Sequence, residues 1–287
     1  MKVNIIYLTN QCNLKCPYCY EKQGQEKREK SVITESEIDD TLNSIIREEP
    51  FHVSTVCLMG GEPFLEFDKI KYTFDKCLEI RRNLGKSISL NVISNGTLIH
   101  NHIDDLDYMI NNREQYLSLD ISFDGIFQYK RTGDSDIVQK NFLLLKERNI
   151  PFGISYTITE GNHERKVFLK EIVSFLELYY GKDNLKDNAN KRKIRVNFDW
   201  TSLEKFYKDI HEFQDSLKEA CDYLFTLYNV PICELSCRAC GHCQKQLFDA
   251  RSYSIPGKSD KILEPMKTNK TFYHFDQNIK EEDNGSN

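Results

Sequence analysis

Short apolar runs alternate with helix-patterned stretches through the first two-thirds of the chain, and this alternation limits the fold more than any other feature. The runs Val3–Thr9, Val53–Met59, Ile88–Ile93, Leu117–Phe123, Phe152–Thr157 and Ile194–Trp200 read as strands. Stretches at about 35–49, 66–84, 100–112, 135–149 and 162–180 carry apolar residues at helical spacing. Thr34 followed three residues later by Glu37 is a capping box that opens the first of these. The second carries an apolar stripe, Ile70, Phe74, Cys77 and Leu78, that ends in Arg81. Parallel strands need a crossover between them, usually a helix, so βα alternation predicts a parallel α/β sheet.

The pattern changes after Trp200, so residues 1–202 are expected to form the main domain. Residues 203–229 read as one helix, with Phe206, Ile210, Phe213, Leu217, Cys221, Leu224 and Tyr228 on one stripe. A cysteine-rich segment extends this second unit to residue 251. Residues 252–287 are polar and Lys/Asn/Asp-rich, and a mobile tail is expected there.

Composition narrows the function classes. A chain of 287 residues with 39% hydrophobic and 29% charged residues can bury one sizeable core under a polar surface. A net charge of −5 argues against general nucleic-acid affinity, and Lys191-Arg192-Lys193 reads as a solvated loop. No segment approaches the roughly 20 apolar residues of a membrane span, and the N-terminal run lacks the features of a signal peptide. Ten cysteines without such a signal suggest a reducing compartment, so a cytoplasmic protein is expected.

Those cysteines are not scattered. Cys12-Asn-Leu-Lys-Cys16-Pro-Tyr-Cys19 follows the first strand directly. Three thiolates on one short loop can hold three corners of a cubane iron–sulfur cluster, which ordinarily takes four. One iron is then left open to a small molecule, as a catalytic centre needs. A zinc knuckle would need a fourth Cys or His, and none follows before His52.

Three further motifs each follow a strand: Gly60-Gly61-Glu62-Pro63, Ser94-Asn95-Gly96-Thr97 and Ser122-Phe-Asp124-Gly125. Catalytic groups of parallel barrels gather at the C-terminal ends of the strands, so all four motifs point to one site. Paired glycines allow close backbone approach, and a carboxylate there can accept bonds from an ammonium. Ser94, Asn95, Ser122 and Asp124 offer groups suited to ribose hydroxyls, although each is also an ordinary turn former. On the last strand Asn197 and Asp199 share one face and are substrate-side candidates. Cys57, Cys77 and Cys221 sit in apolar patterns and read as small buried groups.

With these motifs in register, residues 3–200 resemble the radical S-adenosylmethionine (SAM) enzymes. The resemblance implies a partial (β/α)6 TIM-like barrel, here with a short C-terminal Cys-rich extension. It implies that Cys12, Cys16 and Cys19 bind a catalytic [4Fe–4S] cluster whose open iron chelates SAM. Reductive cleavage of SAM would then give a 5′-deoxyadenosyl radical that abstracts hydrogen from a substrate. Gly60, Gly61, Glu62 and Pro63 would hold the methionine amino group, and Arg131 would pair with the SAM carboxylate. Ser94, Asn95, Ser122 and Asp124 would meet the ribose, and Tyr18 would pack near the adenine. A reductase, flavodoxin or ferredoxin is implied as electron donor.

A second set, Cys233, Cys237, Cys240 and Cys243, provides four more thiols, with His242 beside them. Four thiolates at this spacing suit a second [4Fe–4S] cluster, with tetrahedral zinc as the competing occupant. Radical SAM enzymes that modify peptides often carry auxiliary clusters in a C-terminal extension. The expected substrate is therefore a ribosomally made peptide that becomes crosslinked or otherwise modified. The alternative is a small molecule, with a structural metal at the C-terminal cysteines.

Overall fold

The computed structural model describes residues 3–17, 19, 30–48, 53–125, 128, 131, 136–158, 174, 177, 181, 194–200 and 250–253. Strands β1 (Val3–Tyr7), β2 (Val53–Met59), β3 (Ser87–Ser94), β4 (Leu117–Phe123), β5 (Phe152–Ile158), β6 (Ile194–Trp200) and β7 (Ala250–Tyr253) form one sheet. Its order is β6-β5-β4-β3-β2-β1-β7, and every neighbouring pair is parallel. Helices α1 (Glu35–Glu48), α2 (Phe67–Leu84), α3 (Ile103–Ile110) and α4 (Asp136–Glu147) cross between successive strands. The result is a parallel α/β sheet whose first six strands lie in chain order, as successive βα units dictate.

Six strands were expected, and β7 is the addition. Ala250-Arg251-Ser252-Tyr253 has no apolar run to announce it, yet it pairs from Val3↔Ala250 to Ile6↔Tyr253. Backbone pairing with β1 alone makes it a strand. It crosses the boundary expected between residues 251 and 252. The expected helix at 162–180 is described only at residues 174 and 177, both helical. The expected helix at 203–229, the four C-terminal cysteines and most of the tail lie outside the described residues.

Local signals act as their chemistry requires. The Thr34 hydroxyl accepts from Glu37 N–H at 3.2 Å, and Glu37 Oε2 accepts from Thr34 N–H at 2.8 Å, completing the capping box. Helix α2 ends at Gly85, whose φ of 65° is left-handed and whose N–H donates to the Arg81 carbonyl. Ile70, Phe74, Cys77 and Leu78 of the predicted stripe are buried against the sheet. Each large apolar group there contributes roughly 1.5–3 kcal/mol through burial.

Strand β3 alternates along its length, with Ile88, Leu90, Val92 and Ser94 buried. The core fills the helix-covered side of the sheet, where Ile6, Leu58, Leu90, Leu119 and Ile154 meet helical residues such as Leu42, Phe74, Leu106 and Phe142. The other face carries a polar row in register, Cys57, Asn91 and Ser118. Ser118 Oγ donates to Asn91 Oδ1 at 2.7 Å, and Asn91 Nδ2 donates to Cys57 Sγ at 3.9 Å. No helix among the described residues is long and apolar enough to cross a membrane.

Candidate cluster and cofactor site

The loop after β1 is fixed on both flanks by backbone bonds. On one side Asn10 N–H donates to the Ser31 carbonyl and Ile33 N–H to the Leu8 carbonyl. On the other, Gly61 N–H donates to the Thr9 carbonyl at 2.8 Å and Glu62 N–H to the Gln11 carbonyl at 2.7 Å. This second seam explains the paired glycines. A Cβ on Gly60 would lie 2.3 Å from the Thr9 carbonyl oxygen, and one on Gly61 2.1 Å from that of Gln11. The glycines let two backbones meet, so the turn after β2 braces the loop that carries Cys12, Cys16 and Cys19.

Glu62 follows as the N-cap of a 3-10 turn, Pro63–Glu66, with Pro63 suited to the first position because it has no N–H to satisfy. Its side chain is fully buried. Oε1 accepts from Phe64 N–H at 3.0 Å and from the Ser94 hydroxyl at 2.8 Å, while Oε2 accepts from Asn95 N–H at 2.7 Å. Burial pushes the carboxyl up to about 7, against the pull of those three donors and of the more distant Arg131 charge. Ser94 and Asn95 therefore tie the end of β3 to the end of β2 through one carboxylate.

Asn95 also reaches the cysteine loop. Its Nδ2 donates to Asn13 Oδ1 at 2.9 Å and to Cys12 Sγ at 3.9 Å. Asn13 Nδ2 donates in turn to Thr97 Oγ1 at 2.8 Å. The Gly96–Thr97 turn is held from behind by Asn141 of α4, whose Nδ2 donates to the Gly96 carbonyl at 2.7 Å. Asn13 and Asn141 are not singled out by the sequence, and Thr97 only as the last residue of the Ser94–Thr97 motif. The signal available was an Asn on the apolar stripe of α4, beside Val138, Phe142 and Leu145.

At the end of β4, Asp124 is fully buried and meets Arg131 in a bidentate pair, with Nε to Oδ2 at 3.2 Å and Nη2 to Oδ1 at 3.0 Å. The Gln128 amide oxygen accepts from Asp124 N–H at 2.9 Å. The Cys16 thiol donates to the Arg131 carbonyl at 3.9 Å, so this pair stands directly against the cysteine loop. Ser122 is half-buried in register with Ser155. Asn197 and Asp199 lie in register with Ser155 and Thr157. Tyr18, Cys233, Cys237, Cys240 and Cys243 lie outside the described residues.

Cys12, Cys16 and Cys19 are free thiols. Burial raises Cys12, with Glu62, Cys16 and Cys19 adding to it against the Leu14 N–H. Burial also raises Cys16, while the Arg131 guanidinium draws it back. Among the described residues no three His, Cys, Asp or Glu side chains converge on one metal ion. A cubane does not ask for that, since each thiolate takes a different iron. Three unpaired thiols on one braced loop are the donor set such a cluster needs.

Comparisons with known proteins agree with this architecture. An uncharacterised protein of Methanocaldococcus jannaschii is 31% identical over 183 residues, covering 61% of this chain and 58% of that one. An S-adenosylmethionine-dependent nucleotide dehydratase of Psychrobacter lutiphocae is 27% identical over 128 residues, 42% of this chain and 39% of its own. A probable GTP 3',8-cyclase of Methanocella arvoryzae is 38% identical over 94 residues, 33% of this chain and 26% of its own. The matches thus span 58% or less of these relatives' lengths. Among solved structures, native anSMEcpe with bound AdoMet superposes with a TM-score of 0.56 at 15% identity, covering 78% of this chain and 60% of that one. Streptococcus suis SuiB bound to its precursor peptide SuiA also gives 0.56, at 18% identity, over 78% of this chain and 46% of that one. These likenesses show the partial-barrel fold. Residues 6–172, more than half of the 287, match the Radical SAM superfamily model, and the chain belongs to that superfamily.

Proposed function

We propose that the protein is a radical SAM enzyme whose Cys12, Cys16 and Cys19 hold a [4Fe–4S] cluster and whose substrate is a ribosomally made peptide. The observation carrying the first part is the cysteine loop held between the Gly60–Glu62 turn and the Asn95 side chain, with all three thiols free. When bound, the cluster and SAM supply a 5′-deoxyadenosyl radical that abstracts a substrate hydrogen. The chain's own residues hold and screen this site. The Gly60–Glu62 turn and the Asn95 side chain fix the loop's position, and the buried Asp124–Arg131 pair packs beside Cys16. Ser122, half-buried at the end of β4, would meet SAM. Cys233, Cys237, Cys240 and Cys243 would hold a second cluster, or zinc, and a flavodoxin, ferredoxin or reductase would deliver the electron.

The peptide assignment is supported by the fold shared with SuiB, which was captured with its precursor peptide, over 78% of this chain. A second reading, a nucleotide substrate, is favoured by relatives named as a nucleotide dehydratase and a GTP cyclase, over 42% and 33% of the chain. The test is anaerobic reconstitution with reductant and SAM, followed by chromatography of 5′-deoxyadenosine. The expected result is product from wild type and none from Cys12→Ala. Equal product from both would sink the proposal. Cys240→Ala is expected to block turnover of a modified peptide while leaving slow uncoupled SAM cleavage. Substrate-dependent cleavage with nucleoside triphosphates, and none with peptides, would transfer the assignment to the second reading.

A further inference from the structure

We infer that Asn95 is a positioning residue for the Cys12 sulfur, an N–H donor that raises the reduction potential of the cluster this loop holds. The inference rests on the proposed cluster at Cys12, Cys16 and Cys19.

The orientation of the carboxamide is fixed by a group that can only donate. Thr97 N–H points at Asn95 Oδ1 from 3.0 Å, and the Thr97 hydroxyl lies 2.6 Å from the same oxygen. A backbone N–H must face the oxygen, so the NH2 end must face the cysteine loop. Its two hydrogens find two acceptors there, Asn13 Oδ1 at 2.9 Å and Cys12 Sγ at 3.9 Å. The side chain is 7% exposed, and both of its donors and its oxygen are engaged. That arrangement differs from the sugar-binding role expected for this residue, which would leave the amide free to meet a hydroxyl.

Cys12 Sγ also accepts from Leu14 N–H at 3.4 Å, so two donors converge on this sulfur. Cys16 is treated differently, since its thiol faces the Arg131 carbonyl. Hydrogen bonds to ligand sulfurs are among the levers that set iron–sulfur potentials. Reduction adds negative charge to the cluster and its thiolates, and a donor aimed at a thiolate favours the more negative form. Removing that donor therefore lowers the potential.

The test is potentiometric titration of the reconstituted full-length protein, read by the electron paramagnetic resonance signal of the reduced cluster, with iron and sulfide content measured alongside. Asn95→Asp keeps the shape and the bonds from Thr97 but donates nothing to sulfur. It is expected to retain iron and to be about tenfold less reduced at a fixed potential, about 59 mV more negative for a one-electron couple. Asn13→Ala removes the neighbouring amide and leaves the donor to Cys12, so it is expected to titrate with wild type. Iron lost from Asn95→Asp but kept by Asn13→Ala also supports the role. An unshifted Asn95→Asp, equal shifts in the two variants, or iron lost from both would overturn it. A wild type that takes up no iron and sulfide would instead defeat the cluster reading, so the two failures are distinct.

Discussion

Gly61→Ala is the perturbation that separates two explanations of the paired glycines, close approach to a ligand and close approach to the protein's own backbone. The added Cβ would sit 2.1 Å from the Gln11 carbonyl oxygen and 2.5 Å from its carbon. Both are backbone atoms, which cannot rotate away, so the turn and the loop must part by on the order of 1 Å to restore contact distance. The seam bonds at 2.8 and 2.7 Å would then leave hydrogen-bonding range. Two such bonds with their buried groups left unpaired, together with the residual clash, cost about 3–5 kcal/mol. Against a typical total of roughly 5–15 kcal/mol that is a severe loss. Gly85→Ala is the comparison: its φ of 65° is left-handed, unlike that of Gly61, but no atom lies within 4 Å of the new Cβ. Strain alone should cost it about 1 kcal/mol. Urea unfolding of the metal-free variants measures both. A Gly61→Ala midpoint within about 0.5 kcal/mol of wild type, with SAM binding lost, would refute the backbone seam as the reason for the motif.

Two further substitutions test the buried charges. Asp124→Asn should cost about 3 kcal/mol in the same assay, because Arg131, 11% exposed, loses the charge opposite it. Arg82→Ala breaks a pair whose members are 59% and 56% exposed, and should cost under about 1 kcal/mol; equal losses in the two variants would contradict the assigned burial. Glu62→Gln tests the raised carboxyl. The folded chain keeps this proton up to about 7, whereas an unfolded carboxyl gives it up near ~4.3. Glu62 therefore costs stability progressively as pH rises through that window and not below it. The difference in unfolding free energy, wild type minus Glu62→Gln, should fall by up to about 4 kcal/mol across it. A difference that does not vary with pH would show that the three donors keep Glu62 ionised throughout.

The strands were legible because each carries enough Val, Ile and Leu to declare itself without its neighbours. Val53–Met59, Leu117–Phe123 and Ile194–Trp200 end where their patterns end. β1 stops at Tyr7, short of the expected Thr9, because Thr9 leaves the ladder to bridge Val32. β7 was invisible because Ala-Arg-Ser-Tyr owes its strand to pairing with β1, a partner about 250 residues away in the chain. The family was legible for a related reason: cysteine spacing along one loop, and motifs that each follow a strand, are properties of order along the chain.

Hydrogen-bond partners are not properties of that kind. Ser94, Asn95 and Asp124 lie in motifs that follow the strands, with Arg131 shortly after the last of them, but their residue types suit a ligand as well as one another. Parallel strands in order bring the ends of β2, β3 and β4 side by side. There Ser94 and Asn95 meet Glu62, and Asp124 captures Arg131. Asn13 and Thr97 read as loop residues until the same convergence places them in one cluster with Cys12. The sequence alone determined the α/β class, the family and the three-cysteine loop. Tertiary structure decided which polar side chains brace that loop, because only folding brings residues from separate strands to within 3 Å of each other and out of water.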